Sequence, residues 1–168
     1  MSDTGSVTFT ASVLPEEYRK TFSNETFSYT PHADGKEGWY VTITNVTASS
    51  ADLMGAGAIE RSVGVATAAA KEAAATGDIV KFLFIKNTGT TNGSSSTTES
   101  VYLCFAAETA DDGLANAVEI PAGMSWFARL PSCTRENIHA VSGVANAGGN
   151  GTGNVQCIVA AVLRDVSL

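Results

Sequence analysis

The residues able to move protons or act as soft nucleophiles near neutral pH are few in this chain of 168: two histidines, His32 and His139, and three cysteines, Cys104, Cys133 and Cys157. The one pair with suggestive spacing is Cys133 and His139, since a loop cysteine beside Pro131 can be activated by a neighbouring imidazole. Against catalysis, Ile138-His139-Ala140 alternates as a strand does, and no oxyanion-type motif stands near Cys133. The cysteines are odd in number and far apart, without the spacing of a zinc site or a disulfide framework, so they read as reduced thiols. Cys104 and Cys157 lie inside apolar runs, where cysteine packs as a small hydrophobe. Asp111-Asp112-Gly113 with Glu108 offers carboxylates but lacks the alternating oxygen ligands of a calcium loop, and reads as a turn. Gly148-Gly149-Asn150-Gly151-Thr152-Gly153 lacks the Lys-Ser/Thr of a phosphate loop and precedes a strand, so it reads as a flexible tip. No catalytic residue, cofactor or metal ligand is expected.

What remains suits contact rather than reaction. Trp39-Tyr40 and Trp126-Phe127 could stack on a sugar or anchor a partner, or could place alternate members in a core. Arg129 and Arg135 flank Pro131 and could clamp an acidic neighbour, although a solvated surface position is the plainer reading. With 17 acidic against 10 basic residues the net charge is −7, the wrong sign for neutralising phosphates. Neither a membrane-spanning run nor a signal peptide is evident, so synthesis in a cytoplasm is expected and no membrane partner. The Asn-x-Ser/Thr patterns at Asn24, Asn45, Asn92 and Asn150 then carry no meaning.

These groups must be held by strands. Hydrophobic residues make up 44% of the chain and charged residues only 16%, and the length suits one domain with a real core. Ser6 to Val13 alternates polar with apolar, a half-buried strand ended by Pro15. Thr21 to Thr30 is a weak strand, Pro31 to Gly38 a turn, and Trp39 to Thr47 a strong strand of aromatic and β-branched residues. Ala48 to Gly77 is ambiguous: seven alanines between Ala66 and Ala75 favour one short helix near Ala68 to Ala75, while Gly55, Gly57 and Gly64 favour a strand and irregular crossover. Ile79 to Lys86, Val101 to Phe105 and Val155 to Leu163 are apolar on both faces and read as central strands. The polar run from Asn87 to Glu99 reads as a long exposed loop, Ile120-Pro121-Ala122-Gly123 as a strand end and tight turn, Met124 to Leu130 as a strand, and Asn137 to Val141 as a short one. Eight or nine short strands with at most one helix predict an all-β antiparallel sandwich, jelly-roll-like, spanning 1–168 with 1–17 as a possible N-terminal arm.

The succession Phe82-Leu83-Phe84-Ile85-Lys86-Asn87-Thr88-Gly89, Val101-Tyr102-Leu103, Ile120-Pro121-Ala122-Gly123-Met124-Ser125-Trp126-Phe127-Ala128-Arg129-Leu130, Ile138-His139-Ala140 and Val155-Gln156-Cys157-Ile158-Val159 resembles small β-rich virion proteins of tailed bacteriophages, above all capsid cement or decoration proteins. The resemblance covers roughly Ile79 to Val166 and transfers no residue role. It implies a non-enzymatic subunit on the capsid surface of a virion, with the major capsid protein as partner and a homo-oligomer, a trimer being favoured by three-fold shell sites. A carbohydrate-binding or structural module of a tail fibre or spike is the alternative. The expected partner-facing residues are Val7, Phe9, Ala11 and Val13 on the first strand, with Trp39, Tyr40, Trp126 and Arg129. That first strand has no evident hairpin partner close in sequence, so it is expected to pair along a neighbouring subunit's sheet edge.

Overall fold

The computed structural model describes residues 4–9, 25–32, 34, 36–55, 57–60, 71–105, 117–143 and 154–167. These form β1 (Gly5–Phe9), β2 (Glu25–Tyr29), β3 (Glu37–Val46), β4 (Ala51–Asp52), β5 (Ala58–Glu60), β6 (Lys71–Ala73), β7 (Ile79–Asn87), β8 (Thr90–Thr91), β9 (Ser95–Ser96), β10 (Val101–Cys104), β11 (Val118–Ile120), β12 (Ser125–Thr134), β13 (His139–Ser142) and β14 (Val155–Arg164). A 3-10 turn at Arg135–Asn137 is the one helical element among the described residues. Every strand pairing is antiparallel.

A six-stranded sheet in the order β12-β7-β14-β3-β5-β6 packs on a four-stranded sheet in the order β11-β10-β13-β4. The core lies between them. Tyr40, Leu83, Ile85, Val155, Val159 and Leu163 from the larger sheet meet Val101, Leu103, Ile120 and Ala140 from the smaller. The protein is therefore an all-β antiparallel sandwich. The three runs read as central are interior strands: β7 lies between β12 and β14, β14 between β7 and β3, and β10 between β11 and β13. Strands covered on both faces have no polar side to present, which is why their sequences lack alternation.

A bulge sets how β7 divides its side chains. Val162 pairs with Phe82 but Leu163 pairs with Val80, so Lys81 is the extra residue. The slip lets Val80 and Leu83 both face the core while Phe82 faces away from it. On β12 the register also shifts between Arg129 and Cys133, where Pro131 sits on the edge strand and its carbonyl accepts from Lys81 Nζ at 3.1 Å.

Three expectations need correction. The described end of the alanine-rich segment, Lys71–Ala73, is strand β6 paired with β5, not helix, because sheet pairing overrides alanine's intrinsic preference; residues 61–70 lie outside the described residues. The polar run after β7 is not plain loop: β8 and β9 form a small hairpin, and Asn87 is wholly buried. Its amide donates to the carbonyls of Glu99 (2.9 Å) and Ile120 (3.0 Å) while its Oδ1 accepts from Gly89 N (2.9 Å), pinning the hairpin to both sheets. The first strand, finally, finds its partner within its own chain, Gly5–Phe9 running against Glu25–Tyr29. The two form a separate two-stranded layer; Ala11, Val13 and the remainder of the 1–17 arm from Thr10 onward lie outside the described residues.

Candidate interaction surface

The outward face of the six-stranded sheet can be read directly from register. One row across it is Arg129, Phe82, Val162 and Trp39; the next is Phe127, Phe84, Ala160 and Val41; the third is Ser125, Lys86, Ile158 and Ile43. Most of this surface is apolar, and it lies on the side opposite the core.

The β1–β2 hairpin lies over part of it. Its own alternation is strict: Thr4, Ser6 and Thr8 with Thr26, Ser28 and Thr30 face solvent, where Thr4 and Thr30 hydroxyls bond at 2.8 Å. Val7, Phe27 and Tyr29 face the sheet. Phe27 stacks on Phe82 (centroids 5.6 Å) and tilts against Phe127 (5.2 Å), while Trp39 meets Phe82 edge-on at 6.1 Å. Phe82 and Val162 are buried as a result, each worth about 1.5–3 kcal/mol on area grounds. Gly5 lies so close over Trp39 that a methyl group there would overlap the indole ring.

Polar contacts fasten the hairpin at one end. Arg129 sits 5.3 Å from the centroids of both Phe27 and Tyr29 and donates to the Ser28 carbonyl at 3.0 Å. Tyr29 donates its phenol to Glu37 Oε2 (3.0 Å), which also accepts from His32 N (2.9 Å). Burial, and then the Glu37 carboxylate, pushes the Tyr29 phenol up to about 12. Arg164 lies 3.5 Å from Asp34 and 3.8 Å from Glu37; the Lys36 backbone N–H holds the Asp34 carboxyl below its usual range.

Cover is incomplete. A cavity of about 410 Å³ runs between β1 and the sheet, lined by Gly5, Ser6, Val7, Thr8, Trp39, Phe82, Phe84 and Ala160. Beyond it Val41 and Ile43 are 66% and 64% exposed.

The residues expected at a partner surface thus separate. Val7, Trp39 and Arg129 come together on the outer face. Tyr40 does not: it points into the core and donates to the Gly55 carbonyl at 3.1 Å. Trp126 also faces inward, half-buried against the core and 5.4 Å from Phe105. The period of two explains this division of each aromatic pair. Phe9 ends β1.

The candidates for chemistry are held apart by other partners. Cys133 packs against the core with its thiol toward the Thr134 carbonyl at 3.6 Å, whereas His139 Nδ1 lies 3.3 Å from Asp52. Burial pushes the Cys133 and Cys104 thiols up and raises Cys157 to about 12, opposite to nucleophile activation. Glu108, Asp111, Asp112 and the glycine run 148–153 lie outside the described residues, among which no His/Cys/Asp/Glu group could hold a metal. Arg135, read from the sequence as a solvated surface charge, is instead only 5% exposed: its Nε donates to the Ala75 carbonyl at 3.0 Å and its Nη1 to that of Met54. Asp78, whose carboxyl burial pushes up, accepts there from Ala75 N at 2.7 Å. An Arg four residues after a proline carries no sequence signal of this; only the fold brings the Met54 and Ala75 carbonyls to it.

Comparison with protein-family models, curated proteins and solved structures finds no match. Among the described residues no helix is long and apolar enough to cross a membrane.

Proposed function

We propose that this chain is a non-enzymatic virion subunit, a cement or decoration protein that binds and stabilises the assembled head shell of a tailed phage. The observation that carries the reading is the outer face of the six-stranded sheet, mostly apolar across three rows with Arg129, Ser125 and Lys86 toward one edge, and with Val41 and Ile43 left to solvent beside a partly filled cavity. A contiguous apolar face of this kind marks a contact surface. The resemblance of Ile79 to Val166 to such proteins supports the same reading. A subunit that binds only the assembled lattice stabilises it by linkage, and repetition over symmetric sites multiplies weak contacts. The major capsid protein is the partner, and a symmetric homo-oligomer, a trimer, presents the surface to three-fold positions. For the sugar-binding alternative, Trp126 is turned inward against Phe105 and Trp39 lies beneath Gly5.

The test is co-sedimentation of purified protein with shells assembled from the capsid protein, alongside copy number in intact particles. Binding to shells but not to free capsid protein, at a copy number that scales with the lattice, is the expected outcome. A copy number matching the tail fibres, with no binding to shells, would overturn the proposal.

A further inference from the structure

We infer that the cavity beside β1 is a slot for a third strand, in which an extended segment of another polypeptide, apolar at alternate positions, pairs with the free edge of β1. The shape of the cavity leads there. Four consecutive residues of β1, Gly5 to Thr8, line it, although Ser6 and Thr8 point their side chains to solvent and Val7 points to the sheet. Consecutive residues of both orientations share a wall only if the wall is the backbone edge. Among the described residues β1 pairs with β2 alone, and the N–H and C=O groups of its other edge have no strand partner among them. An acyl chain would leave them unsatisfied; a strand would satisfy them.

The floor agrees with this occupant. Trp39 and Phe82 stand in one row and Phe84 and Ala160 in the next, two residues further along β7, the side-chain period of an extended chain lying above. None of the described lining residues is charged, so side chains pointing down are apolar, while those pointing up join the hydroxyl surface of Thr4, Ser6 and Thr8. A strand here would turn the hairpin into a three-stranded layer and extend cover toward Val41. A two-stranded ribbon is marginal by itself, and a third strand is what such a ribbon lacks. The identity of the donor, the shell protein, rests on the function proposed above; the slot's preference for a strand does not.

The experiment uses the full chain and a synthetic peptide, Lys-Thr-Val-Thr-Val-Thr-Val-Thr-Lys, with a second peptide of the same sequence N-methylated at alternate residues. Trp39 emission and hydrogen exchange at Gly5 to Thr8 are read together. The plain peptide should bind, shift the emission and slow exchange along β1; N-methylation should weaken it about tenfold or more, because the main-chain bonds are lost. Ala160→Phe, which fills the slot from the outer face, should weaken it comparably. Should that variant misfold, Val41→Glu at an exposed position supplies the same test by setting a charge beside the floor. Equal binding of both peptides, or none of either, overturns the inference. So does a wild-type dimer abolished by Ala160→Phe, which would give the slot to a second copy. If the peptide binds as described while the protein ignores assembled shells, the slot stands and the cement reading falls.

Discussion

Two side chains show how much single residues carry. Asn87 satisfies three backbone groups from inside the molecule, so Asn87→Ala strands two carbonyls and one N–H away from water and should cost about 2–4 kcal/mol. Asn87→Asp should cost more, because a carboxylate in the amide's place faces two carbonyl oxygens with no proton to give. Urea unfolding followed by circular dichroism measures both; equal stability of all three proteins would refute the assignment. Tyr29 makes the hairpin's seat sensitive to alkali. Its phenol is raised from 10.0 to about 12 in the folded chain, so the stabilisation it contributes is fully present below pH 10 and is lost as pH rises through about 12. Tyrosinate absorbance should show, in addition to Tyr40, whose phenol burial also raises, a late-titrating group that is missing in Tyr29→Phe, and the near-ultraviolet circular dichroism of the Phe27, Phe82 and Trp39 cluster should fall over the same range in the wild type and not in the variant.

At the scale of elements, the hairpin and the sheet beneath it are joined by side chains and by the Arg129 contact to Ser28, not by a shared ladder. Close approach replaces hydrogen bonding, and Gly5 over Trp39 is its tightest point. Gly5→Ala should push the hairpin off the indole at a cost of about 1–3 kcal/mol to its docking, while the sandwich core, whose described members include no residue of the hairpin, keeps its stability. A red shift of Trp39 emission with an unchanged urea midpoint is the expected pair of readings. Loss of the midpoint together with the shift would mean that the hairpin and sandwich fold as one unit.

For the whole molecule, three layers follow: the four-stranded sheet, the six-stranded sheet and the hairpin. The middle layer is apolar toward the core and mostly apolar on its outer side, so what covers that outer side bears on solubility. Removing Met1 to Leu14 takes away β1 and should leave a folded sandwich with Phe82 and Val162 newly exposed, binding a hydrophobic dye and aggregating sooner than the full chain. A truncated protein that melts at the same temperature and stays as soluble would show the hairpin to be dispensable cover. Sedimentation of the full chain at high micromolar concentration should show a symmetric oligomer; a strict monomer would count against the assembly reading.

The all-β class, the central strands β7, β10 and β14, and the Pro121–Gly123 turn could be read from the chain, because double-sided apolar runs and Pro/Gly turn chemistry are local properties. The turn is confirmed by a positive φ at Gly123 and the Met124 N–H donated to Pro121. That Trp39 and Tyr40 would part company was legible too, but which of them meets the core depends on register and on the Lys81 bulge, which no local pattern reveals. The pairing of β1 with β2 across residues 10–24, the burial of Arg135 and Asn87 and the slot along β1 were decided only by the tertiary structure. Each depends on segments distant in sequence meeting in space, and the free energy that settles such meetings is shared among partners that no single stretch of sequence contains.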